Sequence, residues 1–291
     1  KENIKIYGFS VFNREIPQQE IYIESENLKL GIDLLWGGAL SYLEDMDSNV
    51  QAVSVDGKIK VDSNAEERYN AKSVNDNVNL INRFDPGRLV QQSYYGTGDC
   101  EQYTGGVFMD NKWNYNPVQG GDQHGNRSKL VDFKIAEDGK RIWVKCQPLD
   151  WAQKKSYTPS YMENTYTIAD GHIAVENRFI DFSGYTHRDA HQELPAFYTI
   201  SYLSDFVFYN GSKPWQGDAL TTKKDLKFWA GNSDAYFNIK SKETWCAWVA
   251  PTGYGVGVYT PIAEILLAGR HQYNGSKDAH NNATNYVAPL I

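Results

Sequence analysis

Three Asp-Gly dipeptides, each set between segments that alternate in polarity, constrain this chain more than any other feature. A two-residue hairpin turn needs backbone with φ above zero, which Asp-Gly supplies, and period-two flanks put alternate side chains on opposite faces of a strand. AVSVDGKIKV turns at Asp56-Gly57, FKIAEDGKRIWVK at Asp138-Gly139 and TYTIADGHIAVENRF at Asp170-Gly171. In the second, Ile142, Val144 and Cys146 share one face while Trp143, Lys145 and Gln147 share the other. Further strands are expected at 20–25, 29–35, 89–95, 206–209, 245–250 and 255–259, between clusters of Gly, Asn, Asp and Pro. No capped amphipathic run of three or more helical turns is present, and no linker or repeat divides the chain. The expected fold is therefore all-β: a large antiparallel β-supersandwich with little helix, built as a single domain over residues 1–291.

Charge and composition then exclude function classes. Lys plus Arg total 29 against 36 for Asp plus Glu, a net charge of −7 with the basic residues scattered, so a nucleic-acid partner is not expected. No run approaches the ~18 apolar residues of a membrane span, and no membrane partner is expected. Cys100, Cys146 and Cys246 are widely separated and form no zinc spacing, and no cofactor motif occurs. The chain begins Lys1-Glu2-Asn3 with no apolar leader, as in a mature chain after export, so a secreted or periplasmic location is the expectation. Aromatic residues reach 14%, with 20 Tyr and 8 Trp among them. Each of these offers a flat apolar face and a hydrogen-bonding edge, the two things needed to hold a sugar ring, although such residues also suit pleated sheets.

Three segments concentrate polar chemistry. In FDPGRLVQQSYYGTGD, strand alternation places Arg88, Val90, Gln92 and Tyr94 on one face and Leu89, Gln91, Ser93 and Tyr95 on the other, and neither face is apolar. A strand of this kind fits a cleft that binds a polyhydroxylated ligand, because burying unpartnered polar groups is costly. The loop KWNYNPVQGGDQHGNRSK offers Trp113 as a stacking face, with Asp122 and His124 among glycines that permit close approach. It lacks the Gly-Lys-Ser/Thr ending of a phosphate loop. In GYTHRDAHQELPAFYT, His187 and His191 stand beside Asp189 and Glu193. An imidazole next to a carboxylate is suited to acid–base work near neutral pH. The same pair could bind a metal, yet His-Glu-x-x-His is absent and no metal is expected.

The order of three pieces, KLGIDLLWGGALSYLEDMD, AVENRF and GVGVYTP, resembles the galactose-mutarotase-like β-sandwich superfamily of aldose 1-epimerases, glycoside hydrolases and polysaccharide lyases. The resemblance implies a carbohydrate ligand. It also implies that the loop after AVENRF carries a catalytic His, matched here by His187 or His191. No Glu follows GVGVYTP in a matching motif, and His-Gln-Glu-Leu-Pro stands where the epimerases carry Asn-His-x-Tyr/Phe. The leading expectation is an enzyme cleaving glycosidic bonds of an oligo- or polysaccharide, by hydrolysis or elimination. Its catalytic groups would come from Asp122, His124, His187, His191 and Glu193, with Arg88, Gln92, Tyr95 and Trp113 holding substrate. An aldose 1-epimerase and a non-catalytic glycan-binding module are the alternatives. The loop at 116–126 and the segment at 187–193 are expected to meet at one concave site, with the strand at 88–95 as its floor.

Overall fold

The computed structural model describes residues 19–46, 79–96, 103, 105–186, 188–200, 203–224, 226, 235–240, 242–250, 253–271 and 284–291. Within them the chain forms β1 (Glu20–Glu24), β2 (Leu28–Asp33), β3 (Ala39–Asp45), β4 (Val90–Ser93), β5 (Gly106–Phe108), β6 (Asn111–Trp113), β7 (Pro117–Val118), β8 (Lys129–Ile135), β9 (Arg141–Gln147) and β10 (Leu149–Asp150). It continues with β11 (Ser160–Ala169), β12 (His172–Asp181), β13 (Glu193–Ile200), β14 (Asp205–Phe208), β15 (Thr221–Lys224), β16 (Tyr236–Asn238), β17 (Trp245–Val249), β18 (Gly255–Tyr259), β19 (Ile265–His271) and β20 (Thr284–Leu290). The one helical element among the described residues is a single 3-10 turn, Leu34–Trp36. The fold is all-β and antiparallel, as its hairpin signals require.

Two of the three Asp-Gly hairpins can be followed. Asp170-Gly171 joins β11 to β12 with Ala169 opposite His172, and the pairing runs ten residues to Ser160 opposite Asp181. Gly171 and Gly139 have φ of +78° and +66°, the backbone for which glycine is selected at such turns. The turn at Asp56-Gly57 lies outside the described residues. The strand expected over 29–35 stops early because the Asp33 carboxylate accepts hydrogen bonds from Leu35 N at 2.9 Å and Trp36 N at 3.2 Å, which closes the 3-10 turn.

The large sheet runs β1-β2-β3-β4-β13-β20-β19-β16, with β7 and β10 attached beside β4. Two four-stranded sheets, β12-β11-β9-β8 and β15-β14-β17-β18, complete the sandwich. A single core cluster unites all three: Leu30, Ile32, Val90, Phe197, Leu266 and Val287 from the large sheet meet Ile142, Val144 and Tyr166 of the first small sheet and Phe206, Cys246 and Trp248 of the second. Both small sheets thus cover one face of the large sheet. Its other face carries a separate cluster of Ala196, Tyr286, Ala288 and Leu290. Strand alternation separates the two sets, since Val287 points inward between Tyr286 and Ala288, and Phe197 between Ala196 and Tyr198.

Candidate active site

The face of the large sheet turned away from the two small sheets holds a cavity of about 300 Å³. Its floor is built strand by strand: Gln91 and Ser93 from β4 with Tyr95 just beyond, Glu193, Ala196 and Tyr198 from β13, Tyr286 and Leu290 from β20, Leu267 from β19 and Tyr236 from β16. Its wall comes from outside the sheet, where Phe108 and Trp113 of the β5–β6 hairpin stand with Trp151 and Asn116. The rings support one another edge to face. Trp113 lies 6.2 Å from Tyr95 and 5.0 Å from Phe108, and Phe108 lies 5.9 Å from Trp151.

Glu193 and Ala196 both face this cavity although they stand three positions apart, which a regular strand with period two forbids. A β-bulge resolves the parity. Glu193 pairs with Ser93 and Ala196 with Gln91, so three steps along β13 match two along β4. On the other side Glu193 pairs with Leu290 and Phe197 with Val287, four steps against three. The extra residue rotates Glu193 onto the cavity face. Pro195 sits inside the bulge, where a residue without an N–H removes no regular ladder bond.

The environment of Glu193 sets its chemistry. The residue is 8% exposed, and burial among the aromatic rings pushes its carboxyl up to about 8, partly offset by the Ser93 hydroxyl. The Tyr286 hydroxyl donates a hydrogen bond to Glu193 Oε1. Burial also raises the Tyr95 and Tyr198 phenols, with the neighbouring Glu193 charge acting the same way on both, so they remain O–H donors. His191 lines the mouth and is exposed. Beside it stands Glu264, whose carboxyl is held low by the hydrogen bond from Lys240 Nζ at 2.7 Å.

The structure brings four of the residues singled out in the sequence to the cavity: Tyr95, Trp113, His191 and Glu193. Arg88 is next to the lining residue Gly87, but its Nε pairs with Asp85 Oδ2 at 3.3 Å and its guanidinium lies 4.8 Å over the Phe84 ring. Gln92 is directed to the opposite face. Its Nε2 donates to Glu163 O and Asn164 Oδ1, both at 2.8 Å, and so ties β4 to β11 across the sandwich. Asp122 is buried at 1% exposure as a loop staple, accepting from His124 N, Asn126 N and Asn126 Nδ2 through Oδ1 and from Lys155 N through Oδ2. His124 is exposed on that loop and does not line the cavity. His187 lies outside the described residues. The 116–126 loop therefore reaches the site through Asn116 and Val118 rather than through its His and Asp.

Sequence reasoning did not single out Tyr198, Tyr236, Tyr286, Phe108 or Trp151 for this site. One signal was available: a proline within the alternating run ELPAFYTI marks a bulge, and counting onward from it places Ala196 and Tyr198 together on one face. Among the described residues no three His, Cys, Asp or Glu side chains converge as a metal-ligand set.

No model of a protein family matches this chain, and no curated protein sequence does. Two solved structures are distantly similar to it. A galactose mutarotase-like protein from Lactobacillus casei is similar over 93% of this chain and 87% of its own length, at 13% identity and a TM-score of 0.44. A 4-alpha-glucanotransferase from Thermococcus litoralis is similar over 95% of this chain, at 10% identity and a TM-score of 0.43, and the chain spans only 36% of that enzyme.

Proposed function

We propose that the cavity binds one sugar ring of an oligo- or polysaccharide and that Glu193 donates its proton to the glycosidic oxygen as the bond breaks. The observation carrying this reading is the buried Glu193 carboxyl, which at about 8 stays protonated at neutral pH and is poised as a general acid. Trp113, Tyr95 and Trp151 offer faces for the C–H side of a pyranose, while the phenols offer partners for its hydroxyls. A volume near 300 Å³ is at the small end for ligand pockets and suits one ring with the rest of the glycan outside. His191 at the mouth is placed to take a proton from an attacking water.

Hydrolysis of a neutral sugar fits better than elimination from a uronic acid. Elimination needs a cation to neutralise the substrate carboxylate, and the described lining residues include no Lys or Arg, while Arg88 nearby is paired with Asp85. Incubation with a panel of polysaccharides, read for reducing ends and for ultraviolet-absorbing unsaturated products, separates the two. New reducing ends without unsaturated product are expected. Glu193→Gln should lower the rate by about a hundredfold or more. Absence of new ends on every glycan, or full activity in Glu193→Gln, would overturn the reading.

A second reading is favoured by one observation: Glu193 is the only carboxyl among the described lining residues, whereas most glycosidases use two. One acid and one imidazole suffice for mutarotation of a free aldose. Polarimetry of freshly dissolved galactose or glucose tests it directly, with acceleration expected only under this second reading.

A further inference from the structure

Behind the cavity wall, a buried hydrogen-bond chain converges on Asn116, which is 1% exposed. Its backbone N–H donates to Asp150 Oδ2 at 3.1 Å, and its carbonyl accepts from Trp151 N at 2.8 Å. Its side-chain Oδ1 accepts the indole N–H of Trp113 at 3.1 Å. Its Nδ2 donates to Tyr94 O at 2.7 Å and to Ser93 Oγ at 3.2 Å. Asp150 is itself anchored, because its Oδ1 accepts from the Tyr103 hydroxyl at 2.8 Å and from Ala152 N at 3.1 Å.

The partners fix the direction of every bond. An indole N–H can only donate and a backbone carbonyl can only accept, so the amide of Asn116 has one possible orientation. Ser93 Oγ then receives a donor from Asn116, which leaves its own O–H for the two other side chains it is bonded with, the Glu193 carboxyl and the Tyr95 phenol. Ser93 stands opposite Glu193 in the pairing of β4 with β13, and its hydroxyl favours the ionised form of that carboxyl.

We propose that Asn116 is the positioning residue of this site: its amide N–H group turns the Ser93 hydroxyl toward Glu193, and its carbonyl oxygen fixes the Trp113 ring, so that one side chain sets both the acid and the stacking wall. The consequence for turnover rests on the glycan-cleaving reading given above, whereas the ordering of the hydrogen bonds does not. Glu193 is also faced by Tyr95 at the end of β4, Tyr198 of β13, Tyr286 of β20 and Tyr236 of β16, with His191 two residues before it in the chain. None of these takes a donor from Asn116, so a change at Asn116 reaches Glu193 through Ser93.

Replacing the amide by a carboxylate reverses the chain. In Asn116→Asp the Ser93 hydroxyl turns to the new carboxylate, so Glu193 loses the Ser93 donor, keeps that of Tyr286 and gains a negative neighbour, and the loss and the new charge both disfavour its ionisation. Selective 13C labelling of glutamate carboxyls, with the Glu193 signal assigned by its loss in Glu193→Gln, reads this without any substrate. The midpoint of Glu193 should rise by about one pH unit in Asn116→Asp. Ser93→Ala, which removes one oxygen and leaves Asn116 in place, should also raise it while the Trp113 indole N–H signal stays unchanged. Asn116→Ala should instead shift that indole signal and weaken glycan binding. An unmoved Glu193 midpoint in Ser93→Ala overturns the proposal even where Asn116→Asp does not fold. Shifted midpoints in a protein that cleaves no glycan would leave this proposal standing and remove only the reading of function.

Discussion

Two carboxylates of the same chain, Asp122 and Glu193, show how surroundings decide a residue's role. Asp122 is buried with backbone donors on both oxygens, so it is a staple for its loop. Asp122→Ala would leave His124 N, Asn126 N and Lys155 N without their partner, and we expect a loss of roughly 1–3 kcal/mol in stability, read by chemical denaturation, with little change in glycan binding by the folded protein. Glu193 is buried with a hydroxyl donor and aromatic neighbours, and its carboxyl rises to about 8. The sign of its effect on stability follows from proton linkage. A carboxyl titrating near 4.3 in the unfolded chain and near 8 in the folded one binds its proton more tightly when folded, so its contribution is fully favourable below the unfolded value and declines as pH rises to about 8. Through that window the slope is roughly −1.4 kcal/mol per pH unit at most. Glu193→Gln should abolish it, so the mutant gains on the wild type as pH is raised from 5 to 8; parallel stability curves would show that Glu193 titrates normally.

At the scale of elements, what the sequence made legible was the strands and what it hid was their parity. Asp170-Gly171 forms the expected two-residue turn, whereas Asp138-Gly139 lies in a four-residue loop closed by the hydrogen bond from Ala136 N to Arg141 O, and the strands expected over 20–25, 206–209 and 255–259 appear within a residue or so of those bounds. Turn chemistry and period-two polarity are local, so one chain suffices to read them. Which face of a strand meets the core is decided by partners distant in sequence. Gln92 and Gln91 are alike on paper, yet Gln92 Nε2 reaches Glu163 O and Gln91 lines the cavity with Ser93 and Tyr95. The bulge in β13 likewise depends on its pairing with β4 and β20. The Gly37-Gly38 turn has a packing reason that sequence alone leaves hidden. A Cβ on Gly37 would stand 2.1 Å from the backbone oxygen of Gln119, and Gly37 has φ of +61°. Gly37→Ala should therefore cost roughly 2 kcal/mol or more by combined strain and overpacking, seen as a lower denaturation midpoint, because neither backbone can yield without moving the segment that leads to the cavity wall.

For the molecule as a whole, the large sheet divides its labour between two faces. The inner face packs on both small sheets, and Trp248, Phe206 and Val287 share one core there. The outer face carries the cavity, and its residues pack chiefly on one another, as the Tyr198 and Tyr286 rings do at 4.8 Å. Neighbouring residues on one strand should then fail in different ways. Phe197 points into the common core and is 6% exposed, so Phe197→Ala is expected to cost about 3–5 kcal/mol and to lower the melting temperature sharply. Tyr198 is half-buried on the cavity side, where truncation opens space to solvent rather than leaving a sealed void. Tyr198→Ala should reduce glycan affinity by roughly tenfold, about 1.4 kcal/mol, at a smaller cost in stability. Measuring melting temperature and glycan retention for both variants gives a crossed pattern if the faces are divided in this way. Equal destabilisation by the two, with no difference in retention, would mean that the outer face is core and that the cavity is covered in the intact protein.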